Sequence, residues 1–137
     1  MGIVVLLILF LIGELFPWGN FIPAFAETNP PVRTQIQWNT PQTEQLVRRY
    51  CYDCHSNETT WPWYAHVTPI SWLVAHDVNE GRQNLNFSTE SARQIDLERV
   101  VNAVQSGEMP KRIYTVIHGT PTDAERAALI AGLRASD

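Results

Sequence analysis

Residues 51–55 read Cys-Tyr-Asp-Cys-His, and this run constrains the chain more than any other feature. It contains both of the chain's cysteines. Two thiols three residues apart on one turn of backbone reach the two vinyl groups of a porphyrin and form thioethers with them. The histidine beside the second cysteine then lies under the iron as proximal ligand. The run therefore predicts one covalent haem c, held by Cys51 and Cys54 with His55 on the iron. Other chemistries compete for the same spacing. A redox Cys-x-x-Cys pair belongs beside a βαβ pattern, which the chain does not show. A structural zinc site needs four ligands. Cys51, Cys54 and two of His55, His66, His76 and His118 would have to supply them, without the usual paired-histidine spacing. A disulfide between Cys51 and Cys54 would close a very small loop.

The N-terminus reads as a targeting segment. Ile3 to Ile12 are apolar without a break, Gly13-Glu14 interrupt, and Leu15 to Phe25 are again mostly apolar with Pro17 and Pro23 as breakers. The first run is short for a membrane span, which takes about 20 residues, and suits the apolar core of a secretory signal. Ala24-Phe25-Ala26 has the small-x-small pattern of a cleavage site. Residues 3–25 taken together would alternatively make a retained anchor with Glu14 inside, a costly place for a carboxylate. Residues 1–26 are thus expected to be a signal peptide or an N-terminal membrane anchor, with retention the preferred form. Either places the rest of the chain outside the cytoplasm. Residues 27–40, with Pro30-Pro31, read as an extended linker.

Residues 41–137 read as an all-α domain of about four short helices, preceded by the N-terminal hydrophobic helix. Thr40-Pro41 opens the first helix as cap and first-turn proline, and Leu46, Val47, Tyr50 and Cys54 share its face. Thr68-Pro69 opens a second, with Ile70, Leu73, Val74 and Val78 as its stripe and Gly81 as its end. Ser88 is expected to cap a third, facing inward with Leu97, Val100, Val101 and Val104 and closed by Gly107. Thr122 and Glu125 form a capping box for a last helix that buries Leu129, Ile130 and Leu133, with Gly132 allowing close backbone approach. The loops are long for so few helices, and a central apolar cofactor would stabilise such a domain.

The far side of the iron needs a ligand or an open site. Met109 is the first choice, because it lies in a loop after a helix and is the one methionine after Met1. Its bland alternative is a core gap-filler. His76, on the second helix, is the runner-up. Trp61, Trp63, Tyr64 and Trp72 are expected around the porphyrin or in the core, and Arg82 is a candidate partner for a propionate.

The stretch Asn29-Pro30-Pro31-Val32, the run CYDCHSNETTWPWYAHVTPISWLVAHDVNEGR over 51–82, Asn86-Phe87-Ser88, Gly107-Glu108-Met109-Pro110 and Thr122-Asp123-Ala124-Glu125-Arg126 together resemble the bacterial haem-binding-domain family of cytochrome-c-like proteins. The resemblance covers nearly all of 29–134. It implies a small cytochrome-c-like helical fold that is exported and often membrane-tethered. The chain departs from the family pattern after Pro110, where Lys111-Arg112-Ile113-Tyr114 stand in place of a further proline and aromatics.

The expected role is single-electron transfer with protein redox partners, not an enzymatic reaction, since a His/Met iron has no vacant site for a substrate. The alternative is a ligand-binding or sensing haem protein with a labile sixth site. A peroxidase-like enzyme would need an open iron with a distal acid–base residue such as His76. With a net charge of −4 and no basic cluster, the chain has no footprint for nucleic acid.

Overall fold

The computed structural model describes residues 2–136 apart from 17, 92 and 93. Every regular element among the described residues is helical. The apolar run folds as α1, Gly2–Leu15, with Ile3 to Ile12 exposed all round it. At 1.5 Å per residue its 14 residues extend about 21 Å. No described helix is long and apolar enough to cross a membrane. The helix does not continue through residue 25. A short α2, Trp18–Phe21, and a 3-10 turn, Pro23–Phe25, follow it. This part docks on the domain: Glu14 accepts the Thr68 N–H (3.0 Å), and the Trp18 and Phe25 rings lie 5.7 and 5.3 Å from that of Trp72.

Residues 27–40 are without regular structure but do not hang free. The Arg33 and Thr34 amides both donate to the Ser88 carbonyl (2.8 and 3.0 Å), and Ile36 is buried in the core. Helix α3, Pro41–Val47, starts as its sequence predicts, with the Thr40 hydroxyl accepting the Thr43 amide and Pro41 in the first turn. The single helix expected to run into the cysteine pair instead widens into a π-helical turn, Arg48–Tyr52, before α4, Asp53–His55. Such widened turns concentrate at functional sites.

Helix α5, Ile70–Asn84, corrects two expectations. Pro69, not Thr68, is the capping position, and it makes no side-chain bond. Gly81 does not end the helix but lies buried inside it. A Cβ there would come within 2.3 Å of the Cys54 carbonyl oxygen, so the glycine lets α4 and α5 cross at backbone contact. Helix α6, Leu97–Ser106, is capped not by Ser88 but by Asp96, whose carboxylate accepts the Arg99 amide (2.9 Å). Ser88 is buried and accepts the Asn57 amide instead. Gly107 closes α6 in the left-handed conformation, as expected.

Helix α7, Arg112–His118, has no counterpart in the sequence reading. Ile113, Val116 and Ile117 have helical spacing, but the helix is only seven residues long and buries none of them fully. Helix α8, Asp123–Arg134, has the predicted capping box at Thr122 and Glu125. It buries Leu129 and Leu133, with Ile130 partly covered. A Cβ on Gly132 would meet the Thr43 hydroxyl at 2.2 Å, which places α8 hard against α3. Val47, Tyr50, Phe87, Leu97, Val101, Val104, Leu129 and Leu133 belong to one core cluster. Tyr50, Phe87, Val104 and Leu129 also form part of the wall of a cavity.

Candidate functional site

A cavity of about 790 Å³ lies between α4, α5, α6, the 108–111 loop and α7. Ligand sites commonly measure roughly 300–1,000 Å³. The motif turn delivers Cys51, Cys54 and His55 to its wall. Both cysteines are free thiols. Burial pushes the Cys51 thiol up to about 12 and the Cys54 thiol up to about 11. Both therefore stay protonated at neutral pH. A dithiol that attacks disulfides needs the opposite shift, toward the thiolate. Nor do the thiols converge with histidines into a zinc cage. Among the described residues the one group of three metal-ligating side chains is His76, Asp77 and Glu80, elsewhere on α5.

His55 is held in one orientation. Its Nδ1 lies 3.0 Å from the Gly81 carbonyl oxygen and 3.2 Å from that of Leu85. Carbonyl oxygens only accept, so Nδ1 carries the proton and donates it. Nε2 is left with its lone pair free. Burial also holds the ring below the ordinary histidine range, which keeps it neutral. A histidine that ligates a metal through one nitrogen and donates from the other to a backbone carbonyl has this arrangement.

Met109 also lines the cavity. The chain reverses at Gly107, and the Met109 amide donates to the Ala103 carbonyl of α6 (3.0 Å), which fixes the loop's near end. Tyr64 joins the lining, with its hydroxyl 2.8 Å from His118 Nε2. The other candidates lie elsewhere. His76 is exposed beside Asp77, and Trp63 is 78% exposed. Trp61 is half-buried outside the cavity lining, and Trp72 packs on Trp18 and Phe25. Arg82 donates to the Ser56 and Thr28 carbonyls (2.7 Å each), to Asn29 Oδ1 and to the Thr59 hydroxyl (2.8 Å each). Its guanidinium ties residues 28–29 to the loop after the motif, with little donor capacity left for a propionate.

Sequence reasoning missed Lys111, Tyr114 and, in large part, His118. Tyr114 donates to Asp53 Oδ2 (2.9 Å) and to the Arg49 carbonyl (3.0 Å), so it clamps α7 onto the motif turn. His118 stacks on Tyr114 at 4.1 Å. The available signal was their spacing of four residues, which puts both on one face of a helix.

A large cavity, two protonated thiols on its wall and a neutral histidine with Nε2 free fit a haem held by its porphyrin edge and its iron. Comparison with curated proteins and with solved structures finds no match. Residues 11–135 match the family described as a haem-binding domain. That match covers almost the whole chain, including the motif turn, α5, α6 and the Met109 loop, and the protein belongs to this haem-binding domain family.

Proposed function

We propose that the protein is a one-electron carrier with a single haem c, thioether-linked to Cys51 and Cys54 and ligated by His55 and Met109. The observation that carries this reading is the pair of bonds from His55 Nδ1 to the Gly81 and Leu85 carbonyls, made on the cavity wall beside the two thiols. Haem bound there supplies a reversible ferric–ferrous couple. Residues of the chain set its working conditions. His55 presents a fixed, neutral nitrogen, so ligation needs no proton release. Val78, Val104 and Leu129 give the cavity apolar walls. Met109 would contribute a thioether, which favours the ferrous state relative to a second histidine. The exposed Ile70, Leu73, Ile113 and Ile117 at the cavity leave an edge that a redox partner can approach.

The same reading takes the domain to be outside the cytoplasm, where haem c is attached, with the apolar N-terminal segment as export signal or tether. Support for a retained segment comes from Glu14, Trp18 and Phe25, which contact Thr68 and Trp72.

The test is an absorption spectrum of the protein made with haem c maturation machinery, oxidised, then reduced, then exposed to carbon monoxide. Haem should resist acid-acetone extraction, a weak band near ~695 nm should appear in the oxidised protein, and carbon monoxide should bind poorly. Met109→Ala should abolish that band and open the iron to carbon monoxide. Fast binding to the wild type would instead favour a ligand-sensing haem protein, and extractable haem would refute thioether attachment.

A further inference from the structure

The segment 108–118 crosses the cavity with little apolar anchorage. Glycines with positive φ flank it, Gly107 at 76° and Gly119 at 87°. Ile113, Val116 and Ile117 are 53%, 84% and 56% exposed. A helix that buries no side chain fully gains limited hold from packing. Polar contacts add to that hold. At its near end the Met109 amide bonds to Ala103. At its far end Tyr114 reaches Asp53 and His118 reaches Tyr64. Between them stands Lys111, whose Nζ lies 3.1 Å from Asp77 Oδ1 and 3.0 Å from Glu80 Oε2.

The geometry points to Lys111 as a positioning residue that seats the Met109 loop across the cavity. Asp77 and Glu80 stand three residues apart on α5 and so project from neighbouring turns of one face. Their charges repel unless a cation lies between them. His76, Asp77 and Glu80 are spaced to hold a metal ion, but the Lys111 ammonium already satisfies the two carboxylates. Only Pro110 separates Lys111 from Met109, and proline's ring fixes that residue's φ. A tether at Lys111 therefore restricts where the Met109 thioether can go. In this arrangement α5 serves both sides of the site. Its Gly81 carbonyl and the Leu85 carbonyl just beyond it orient His55, and its acidic pair orients the Met109 loop.

This inference rests on the proposed ligation by Met109, and two readouts separate the two ideas. The first is hydrogen exchange of the amides of 109–118 in the haem-loaded protein, which reports loop seating whatever binds the iron. The second is the near-red band and the carbon monoxide association rate. Lys111→Ala should speed exchange in 109–118, weaken the band and raise the carbon monoxide rate about three- to fivefold, the scale expected for a partly exposed ion pair. Lys111→Arg should restore most of each, and Asp77→Asn should move all three in the direction of Lys111→Ala. Covalent haem content should not change. Unchanged exchange, band and rate in Lys111→Ala would overturn the proposal. Faster exchange with wild-type and Met109→Ala spectra identical would support the tether and overturn the ligation by Met109.

Discussion

At the scale of single residues, Gly81 shapes both the packing and the candidate site. Gly81 touches the Cys54 carbonyl on one side and offers its own carbonyl to His55 Nδ1. Gly81→Ala would drive a methyl group into backbone at 2.3 Å, and backbone yields less readily than a side chain. Overpacking of this kind costs about 1–3 kcal/mol. The expected outcome is a lower urea midpoint together with a perturbed iron spectrum. A change in neither would mean that α4 and α5 can separate without consequence. That Cys51, Cys54 and His55 share one cavity wall was legible in the sequence, because their spacing confines them to one turn of backbone. Gly81 was legible only as a helix breaker, since nothing local reveals that another backbone crosses it. Arg82 illustrates the same limit: its type fits a propionate, but its partners are the Ser56 and Thr28 carbonyls, Asn29 and Thr59.

Caps were read with uneven success at the scale of elements, and the reason lies in where each hydroxyl finds its partner. Thr40 and Thr122 bond to amides of their own first turns, so sequence alone identifies them. Ser88 is occupied by the amide of Asn57, 31 residues away, and Thr68 faces the Ser71 hydroxyl at 3.4 Å. The N-terminal segment shows a further element-scale contact that its composition does not announce. Trp18 and Phe25 both pack on Trp72, and aromatic pairs of this geometry contribute about 0.5–1.5 kcal/mol each. A chain beginning at Glu27 should therefore be less stable than the full chain by about 1–3 kcal/mol in chemical denaturation. Trp72→Ala should cost less in the shortened chain than in the full one. Equal costs would show that the segment does not stabilise the domain.

Over the whole molecule, the cavity leaves a fold whose stability depends on what fills it and on the protonation of His55. Burial holds the His55 ring below its ordinary 6.5, which is close to its value in the unfolded chain. Between the two values the unfolded state binds more protons, so stability rises with pH across that window. Haem-free protein should lose stability as the pH falls through 6.5 and level off below the folded value. Urea midpoints at about pH 8 and about pH 5 measure this, and His55→Gln should flatten the difference. An equally steep profile in that variant would assign the dependence to other groups. The all-helical character, the capped starts of α3 and α8 and the grouping of Cys51, Cys54 and His55 on one turn follow from the sequence by itself, because caps, apolar periodicity and short residue spacings are local patterns. The tertiary structure alone decided that α5 runs past Gly81 and that Lys111, Tyr114 and His118 meet α5, the motif turn and Tyr64. Those contacts join residues between 31 and 65 positions apart. Packing in three dimensions brings them together, and no local pattern records it.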